Sequence, residues 1–171
     1  MKFGIIHYGE NMKKIEISKS EMLILMGILL LDLSSKLMIE QTMDLYQSIP
    51  IIRGFFHITY LHNNGAAWGI FSGAMSFFYL ATMIGISLLV YWFYCSSSEE
   101  KLYRVSLVMM IAGTLGNFYD RISFQYVRDF LDFYIFGYDF PAFNVADMAL
   151  CIGVFLMAVS IFLEEKKKKH E

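Results

Sequence analysis

One uninterrupted apolar run limits what this chain can fold into. Residues 71–95 contain no charged side chain in 25 consecutive positions. A helix needs about 20 mostly apolar residues to cross the hydrocarbon core of a bilayer. The chain of 171 residues is 57% hydrophobic and only 18% charged, whereas soluble domains are about 45–50% apolar and about 25% charged. The sequence therefore predicts an integral membrane protein.

Three further apolar stretches extend this interpretation. They cover residues 22–38, 102–119 and 140–163, and the last of them contains a single charged residue, Asp147. The first and third stretches are short for a bilayer, but they alternate with two runs that span it easily. We predict an all-α integral membrane protein with four transmembrane helices.

The basic residues indicate which way the chain is oriented. The N-terminal arm, the link between the second and third runs and the C-terminal tail hold ten of the 14 basic residues. Basic residues favour the cytoplasmic side, so both termini are predicted to be cytoplasmic and segments 39–70 and 120–140 to lie outside. The predicted organisation is a cytoplasmic arm (1–20), a membrane domain (21–163) and a basic cytoplasmic tail (164–171). The net charge of −2 gives no indication of a nucleic-acid partner.

The predicted outer segments carry patterns of their own. Segment 49–60 is rich in β-branched and aromatic residues and is followed by Asn63-Asn64-Gly65, a strong turn signal. We expect a small extracytoplasmic β-cradle there. Segment 122–133 alternates aromatic, aliphatic and charged residues, which fits either a strand or a short interfacial helix.

Several acids are predicted at a common depth. At 1.5 Å of rise per residue, Asp32, Asp120 and Asp147 lie about 20–26 Å from the charged inner ends of their helices. The three acids are thus expected in the outer half of the membrane, with Asp129 in the adjoining loop. Acids in or beside spans are costly and usually functional. Two carboxyl groups held close together share a proton, which suits them to general acid and base catalysis.

Each acid also has a structural interpretation. Asp120 could pair with its neighbour Arg121, and Asp32 could form a hydrogen bond between helices instead of acting directly. Asp132 and Asp139 are expected to be solvated loop carboxylates. No spacing of His, Cys and acidic residues suggests a metal site. On residue chemistry alone, Asp129 and Asp147 are one candidate pair among several acids.

Two other classes of function fit the same residues. A proton-coupled transporter or channel could use Asp32, Asp120 and Asp147 as a relay, although the acids cluster at one predicted rim instead of spreading through the membrane. A non-enzymatic membrane scaffold that only binds its partners would not need Asp129 and Asp147.

Four motifs in a fixed order carry a family resemblance. They are Asn63-Asn64-Gly65-Ala66-Ala67-Trp68, Gly116-Asn117-Phe118-Tyr119-Asp120-Arg121, Val127-Arg128-Asp129-Phe130 and Phe143-Asn144-Val145-Ala146-Asp147. Together they resemble the motifs of the lipoprotein signal peptidase family, also called signal peptidase II. The resemblance covers roughly residues 22–163. One departure is Leu33, which stands where the family usually carries Gln.

The resemblance implies a specific chemistry. It implies four helices with an outer β-cradle, and cleavage of bacterial prolipoproteins before a cysteine that carries a diacylglyceryl group. Asp129 and Asp147 are implied to be the catalytic pair of an aspartyl protease, with no metal or cofactor. The implied substrate-binding or site-shaping residues are Asn63, Gly65, Asn117, Asp120, Arg121, Asn144 and Asp32.

The resemblance also implies partners and a location. The expected partners are diacylated prolipoproteins and membrane phospholipid, and the protein is expected to be a monomer. The expected location is the bacterial cytoplasmic membrane, with several passes and the active site near the outer face.

Overall fold

Four long helices and one small antiparallel sheet make up the fold. The computed structural model describes residues 16–65 and 73–169. In chain order the elements are α1 (Lys19–Thr42), β1 (Ser48–Ile52), β2 (Phe56–Asn63), α2 (Met75–Cys95), α3 (Lys101–Phe124), β3 (Val127–Ile135), β4 (Tyr138–Phe143) and α4 (Val145–Lys168).

The ends of the helices follow from local sequence. Ser18 caps α1 and exchanges hydrogen bonds with Glu21, and Asn144 caps α4 and exchanges them with Asp147. Such reciprocal boxes satisfy backbone N–H groups that have no partner inside the helix. Gln125 closes α3 in the left-handed conformation with φ 67°, which turns the chain directly into β3. A residue implied in the site, Asp147, is therefore fixed by the cap of its own helix.

Three helices have the length and composition of membrane spans. Among the described residues, α1, α2 and α4 are long and apolar enough to cross a bilayer, and only about a fifth of each apolar stretch is buried within the protein. Helix α3 contacts the other three helices and buries polar groups such as Arg104, Asn117 and Asp120. Its inward-facing polar residues lower its hydropathy, which explains why it resembles a span less than the others do.

The fourth apolar run does not begin as a helix. The run predicted to begin at Phe140 starts instead with the end of β4, and α4 begins only at Val145. Pro141 and the Asn144 cap explain this, since proline breaks helices and Asn144 starts a new one. The second run was predicted to start at Phe71, which lies outside the described residues, and α2 begins at Met75.

The sheet is larger than the sequence indicated. Its strands are all antiparallel and lie in the order β1-β2-β3-β4. The sheet predicted in segment 49–60 is confirmed as parts of β1 and β2 with their turn. The alternatives left open for segment 122–133 resolve into the end of α3 followed by a strand, β3. The described chain is thus a helical membrane fold with a four-stranded sheet attached.

The sheet joins the helices at one end of the bundle. Its strands follow the C-terminal ends of α1 and α3 and precede the N-terminal ends of α2 and α4. Ile39 of α1 and Met43, the residue that follows α1, pack there against Tyr60 of β2 and Phe130 of β3. This apolar cluster fixes the sheet on the bundle, so residues on β3 and at the start of α4 are held side by side.

Glycines allow α1, α3 and α4 to approach closely. A Cβ atom on Gly116 would lie 2.5 Å from an Asp32 carboxylate oxygen and 3.1 Å from the Cβ of Ala146. Added Cβ atoms on Gly113 of α3 and Gly153 of α4 would likewise collide with the facing helix. Small residues that let helix backbones approach are common at contacts between membrane helices. Here they bring the polar groups of three helices within hydrogen-bonding distance.

Candidate active site

Asp129 and Asp147 lie on different elements and are joined through one asparagine. Asp129 is on β3 and Asp147 is in the first turn of α4. The side chain of Asn144 donates from Nδ2 to Asp129 Oδ1 over 2.7 Å. Its backbone N–H donates to Asp147 Oδ2 over 3.2 Å. Asn144 is fully buried, so this bridge sets the position of both carboxyl groups.

Two further asparagines hold the outer oxygens of the pair. Asn63 donates from Nδ2 to Asp129 Oδ2 over 2.9 Å, and Asn117 donates from Nδ2 to Asp147 Oδ1 over 2.7 Å. The amide of Asn63 is oriented by the backbone N–H of Gly65, which donates to Asn63 Oδ1 over 3.0 Å. These amides fix the carboxyl groups and are themselves uncharged.

A buried lysine orients Asn117 in turn. Lys36 Nζ lies 2.8 Å from Asp32 Oδ2 and 3.5 Å from Asp120 Oδ2, with all three side chains fully buried. The same ammonium donates to Asn117 Oδ1 over 3.1 Å. Because a cation can only donate, the carbonyl end of this amide must face Lys36 and its NH2 end must face Asp147.

Asp120 supports the strand that carries Asp129. Arg128 donates from Nη2 to Asp120 Oδ1 over 2.7 Å, and its backbone N–H donates to Asp120 Oδ2 over 3.0 Å. Arg128 also donates to Glu40 of α1 over 2.7 Å. The pairing of Asp120 with Arg121 considered above was wrong, since Asp120 pairs with Arg128 and Lys36.

Asp32 forms a hydrogen bond between two helices, which was one of the two roles considered for it. Its Oδ1 accepts a hydrogen bond from the backbone N–H of Ala146 over 2.9 Å. A negative group beside the free N–H groups at a helix N-terminus is stabilising. Asp32 and Asp120 are thus both bound to fixed cations, an arrangement that opposes a role as mobile proton carriers in a relay.

The environment of Asp129 changes its protonation. Only 3% of its surface is exposed, and this burial, together with the nearby charge of Asp147, raises the pKa of Asp129 to about 7. Hydrogen bonds from Asn63 and Asn144 act in the opposite direction and lower that pKa. Desolvation disfavours the charged form of a carboxyl group, so Asp129 retains a proton at pH values where an exposed aspartate has lost it.

A cavity of about 780 Å³ opens at the two acids and continues between the helices. Its walls include Asp129, Asp147 and Arg121, and it runs past Thr114 of α3 and Cys151 of α4. Most of its lining is apolar. Such a cavity can hold an apolar ligand while it presents one end of that ligand to the carboxyl groups.

Arg121 lines this cavity and has a hydrogen-bond donor that is unpaired among the described residues. Its guanidinium lies 4.8 Å from the centre of the Phe78 ring. Its Nε is buried and has no hydrogen-bond partner among the described residues. A buried donor without a partner costs free energy, so Arg121 is positioned to donate to a bound ligand.

The structure gathers all the predicted site residues that it describes. One hydrogen-bonded group contains the two acids together with Asn63, Gly65, Asn117 and Asn144. Asp32 and Asp120 bind the backbone beside this group, and Arg121 lies in the cavity wall. The motif residues Ala66, Ala67 and Trp68 lie outside the described residues. Within the described ranges, no group of three or more His, Cys, Asp or Glu could hold a metal ion.

Sequence reasoning missed three members of this group and misplaced a fourth residue. Lys36 was not among the predicted site residues, although its i, i+4 spacing from Asp32 signals a pair on one helix face. Arg128 and Glu40 carried no local signal, because their partners lie on other elements. Asp132 was expected to be solvated but is 5% exposed, and it accepts a hydrogen bond from Thr59 over 2.5 Å.

The fold and the site define a class of protein. It is a helical membrane protein in which a small sheet and the start of a helix bring two carboxyl groups together beside an apolar cavity. The family model described as Signal peptidase (SPase) II matches residues 24–163. The chain belongs to the signal peptidase II family.

Individual relatives agree with this assignment. A lipoprotein signal peptidase of Geobacter sulfurreducens is 43% identical over 148 residues, which cover 85% of this chain and 92% of the relative. One from Bacillus pumilus is 44% identical over 140 residues, covering 82% and 90%.

Solved structures show the same fold. A bacterial membrane enzyme determined by the in meso method at 2.3 Å resolution superposes with a TM-score of 0.83 at 41% identity, covering 89% of this chain and 93% of the other. A second, at 1.9 Å resolution, gives a TM-score of 0.76 at 42% identity, covering 83% and 92%.

Proposed function

We propose that this protein is an aspartyl endopeptidase that removes signal peptides from bacterial prolipoproteins. The cut falls on the N-terminal side of a cysteine that carries a diacylglyceryl group. The observation that carries the proposal is the Asn144 bridge, in which the side-chain amide of one buried residue binds Asp129 and its backbone N–H binds Asp147. Membership of the signal peptidase II family and the names of the relatives support the substrate class.

The two carboxyl groups share one proton in the proposed mechanism. One carboxylate takes a proton from water as the water oxygen attacks the scissile carbonyl carbon. The other carboxyl group gives its proton to the carbonyl oxygen. Collapse of the resulting tetrahedral species breaks the C–N bond, and the proton taken from water passes to the departing amine of the cysteine. One hydroxyl proton of the tetrahedral species returns to the carboxylate that gave up its own, which restores the pair. The raised pKa of Asp129 supports a pair that keeps one proton at neutral pH.

The surrounding residues hold the substrate in this proposal. The apolar cavity between the helices receives the hydrophobic part of the substrate, and Arg121 donates from its free Nε to a substrate carbonyl or a lipid phosphate. Asn63, Asn117 and Asn144 keep the carboxyl groups in place, and the buried Lys36 keeps Asn117 oriented. Positioning of this kind lowers the entropy cost of reaching the transition state. No metal or other cofactor takes part.

We also propose the arrangement in the membrane. All four helices cross the bacterial cytoplasmic membrane, both termini are cytoplasmic, and the sheet and the two acids lie near the outer face. The distribution of basic residues supports this orientation. A cytoplasmic arm (1–20) and a basic tail (164–171) flank a monomeric peptidase domain (21–163) in contact with phospholipid.

Cleavage by purified protein tests the proposal. A diacylated prolipoprotein in detergent and phospholipid is incubated with the wild type, Asp129→Asn and Asp147→Asn, and mass spectrometry locates the new N-terminus. We expect the wild type to release a product that begins at the lipidated cysteine. Each variant should lose activity on the order of 10²–10⁴-fold.

A matched variant controls for charge and handling. Asp44 lies in the loop after α1 and is exposed, so Asp44→Asn makes the same chemical change away from the cavity and should cleave like the wild type. Substantial activity in Asp129→Asn or in Asp147→Asn would rule out the carboxyl pair. Binding of the prolipoprotein without cleavage by the wild type would favour a scaffold instead.

A further inference from the structure

A second cavity begins at the same acids and follows the sheet. It has a volume of about 450 Å³ and runs along Thr59 and Leu61 of β2, Asp132 and Tyr134 of β3, and Asp139 of β4. We call it the sheet groove. It shares the walls formed by Asn63, Asp129 and residues 140–142 with the cavity between the helices. The two spaces therefore meet at Asp129.

The two spaces suit different halves of a substrate. The cavity between the helices is bounded by residues of α2, α3 and α4 and is mostly apolar. The sheet groove is bounded by strands and has a larger polar share. A peptide bond held between Asp129 and Asp147 would have one side in each space. The apolar signal peptide matches the first space, and the hydrophilic chain on the mature side matches the second.

Bulges in the two strands beside β3 accompany a second acid in the sheet groove. Residues three apart on a regular strand face opposite sides, yet Asp129 and Asp132 both line the groove. Between Ile58 and Leu61, β2 carries one residue more than the part of β3 that it faces, and β4 does the same between Phe140 and Phe143. Such bulges increase the local twist and redirect side chains. The sheet groove therefore combines the carboxyl group of Asp132 with that of the exposed Asp139.

The sheet groove is negatively charged. His62 lines it, but burial lowers the pKa of His62 below its usual 6.5, so the imidazole is neutral at pH 7. None of the described residues that line the groove is Lys or Arg. The negative charge of Asp132, with a smaller contribution from Asp139, raises the pKa of the Tyr134 hydroxyl. Both carboxylates thus act on the same stretch of the groove wall.

We propose that the sheet groove binds the first residues on the mature side of the scissile bond and favours basic side chains there. This inference rests on the proposed peptidase function. An extended chain advances about 3.3 Å per residue, so Asp132, three positions along β3 from Asp129, lies opposite about the second to fourth residue after the lipidated cysteine. A lysine at those positions meets two carboxylates, whereas a glutamate is repelled by them.

Three matched substrates test the charge preference. They are diacylated prolipoproteins that differ only in the second to fourth residues after the cysteine, which are all Lys, all Ser or all Glu. We expect wild-type kcat/KM to rank Lys above Ser above Glu, with about a fivefold or greater difference between Lys and Glu. Asp139→Asn should narrow the Lys to Glu ratio, and Asp139→Lys should invert it.

The readout is the ratio of kcat/KM on the Lys substrate to kcat/KM on the Glu substrate, measured for each variant. A change in the overall activity of a variant does not alter this ratio. Asp44→Asn should retain the wild-type ratio. Equal rates of the wild type on the three substrates, or an unchanged ratio in Asp139→Lys, would overturn the inference and leave the peptidase function intact. Failure of the wild type to cleave any of the three would refute the peptidase function itself.

Discussion

The buried carboxyl group of Asp129 makes the stability of the fold depend on pH, and Asp129→Asn removes that dependence. The pKa of Asp129 is about 7 in the fold, against an ordinary value of 3.8. Between these values the folded protein holds a proton that the unfolded chain has already lost. The state that binds more protons is disfavoured as pH rises, so the wild type loses stability from about pH 4 to about pH 7.

The size of the loss follows from the two values. The difference is about 3 pH units, and each unit corresponds to about 1.4 kcal/mol, which gives about 4 kcal/mol over the interval. For a chain of this length, 1 kcal/mol shifts the melting temperature by about 2–4 °C. The wild type should therefore lose on the order of 10 °C relative to Asp129→Asn between pH 4 and pH 7.

The assay is thermal unfolding in detergent micelles at pH 4, 5, 6, 7 and 8. Asparagine also places an NH2 group opposite the NH2 group of Asn63 or Asn144, which costs about 1–3 kcal/mol at every pH. The readout is therefore how the difference in melting temperature between wild type and variant changes with pH, not the size of that difference at any one pH. Asp44→Asn controls for removal of an exposed carboxyl group. If the melting temperatures of the wild type and Asp129→Asn change in parallel from pH 4 to pH 8, the raised pKa of Asp129 is refuted.

Three further substitutions test the supporting groups. Lys36→Met leaves Asp32 buried without its cation, so we expect a loss of about 3–5 kcal/mol in melting experiments at pH 7. Gly116→Ala forces a Cβ atom against Asp32 and should destabilise the protein by about 1–3 kcal/mol. Gly85→Ala is the control, because no atom lies within 4 Å of its added Cβ, and it should melt like the wild type. Equal melting temperatures for Gly116→Ala and Gly85→Ala would contradict the close helix packing. Asn144→Ala should lose about 1 kcal/mol of helix capping and about 100-fold in prolipoprotein cleavage. Asn144→Ser keeps a capping hydroxyl but cannot bridge the two acids, so normal cleavage by this variant would show that the bridge is dispensable.

The sequence predicted the parts of the fold that depend on local patterns. The uncharged run after Phe71 and the turn at Asn63 to Gly65 place a span and a strand end from neighbouring residues alone. The order of the four motifs identified the acids that the structure brings together. The residues implied in the site follow one another along short segments, so their identity could be recognised without knowledge of the packing.

The remaining features depend on contacts between distant segments. Arg128 could not be paired with Glu40 from sequence, because the two are 88 positions apart and only the packing of α1 against the sheet brings them together. The strand β4 was hidden because its last four residues carry no charge and run directly into the apolar helix that follows. The position of Asp132 accompanies bulges in the neighbouring strands β2 and β4, which redirect side chains and have no signature in composition.

The hydrogen bond from Ala146 to Asp32 has a consequence for how the protein is made. It joins residues that are 114 positions apart, one in the first helix and the other at the start of the last. During synthesis α1 leaves the ribosome long before α4, so Asp32 can pair with Lys36 in its own helix but remains without Ala146 until most of the chain has been made. The Asn144 bridge between the two acids also forms only when this late segment is present. The pair of Asp129 and Asp147 is therefore assembled only in the final stage of biogenesis, and a nascent chain that stalls before α4 lacks it.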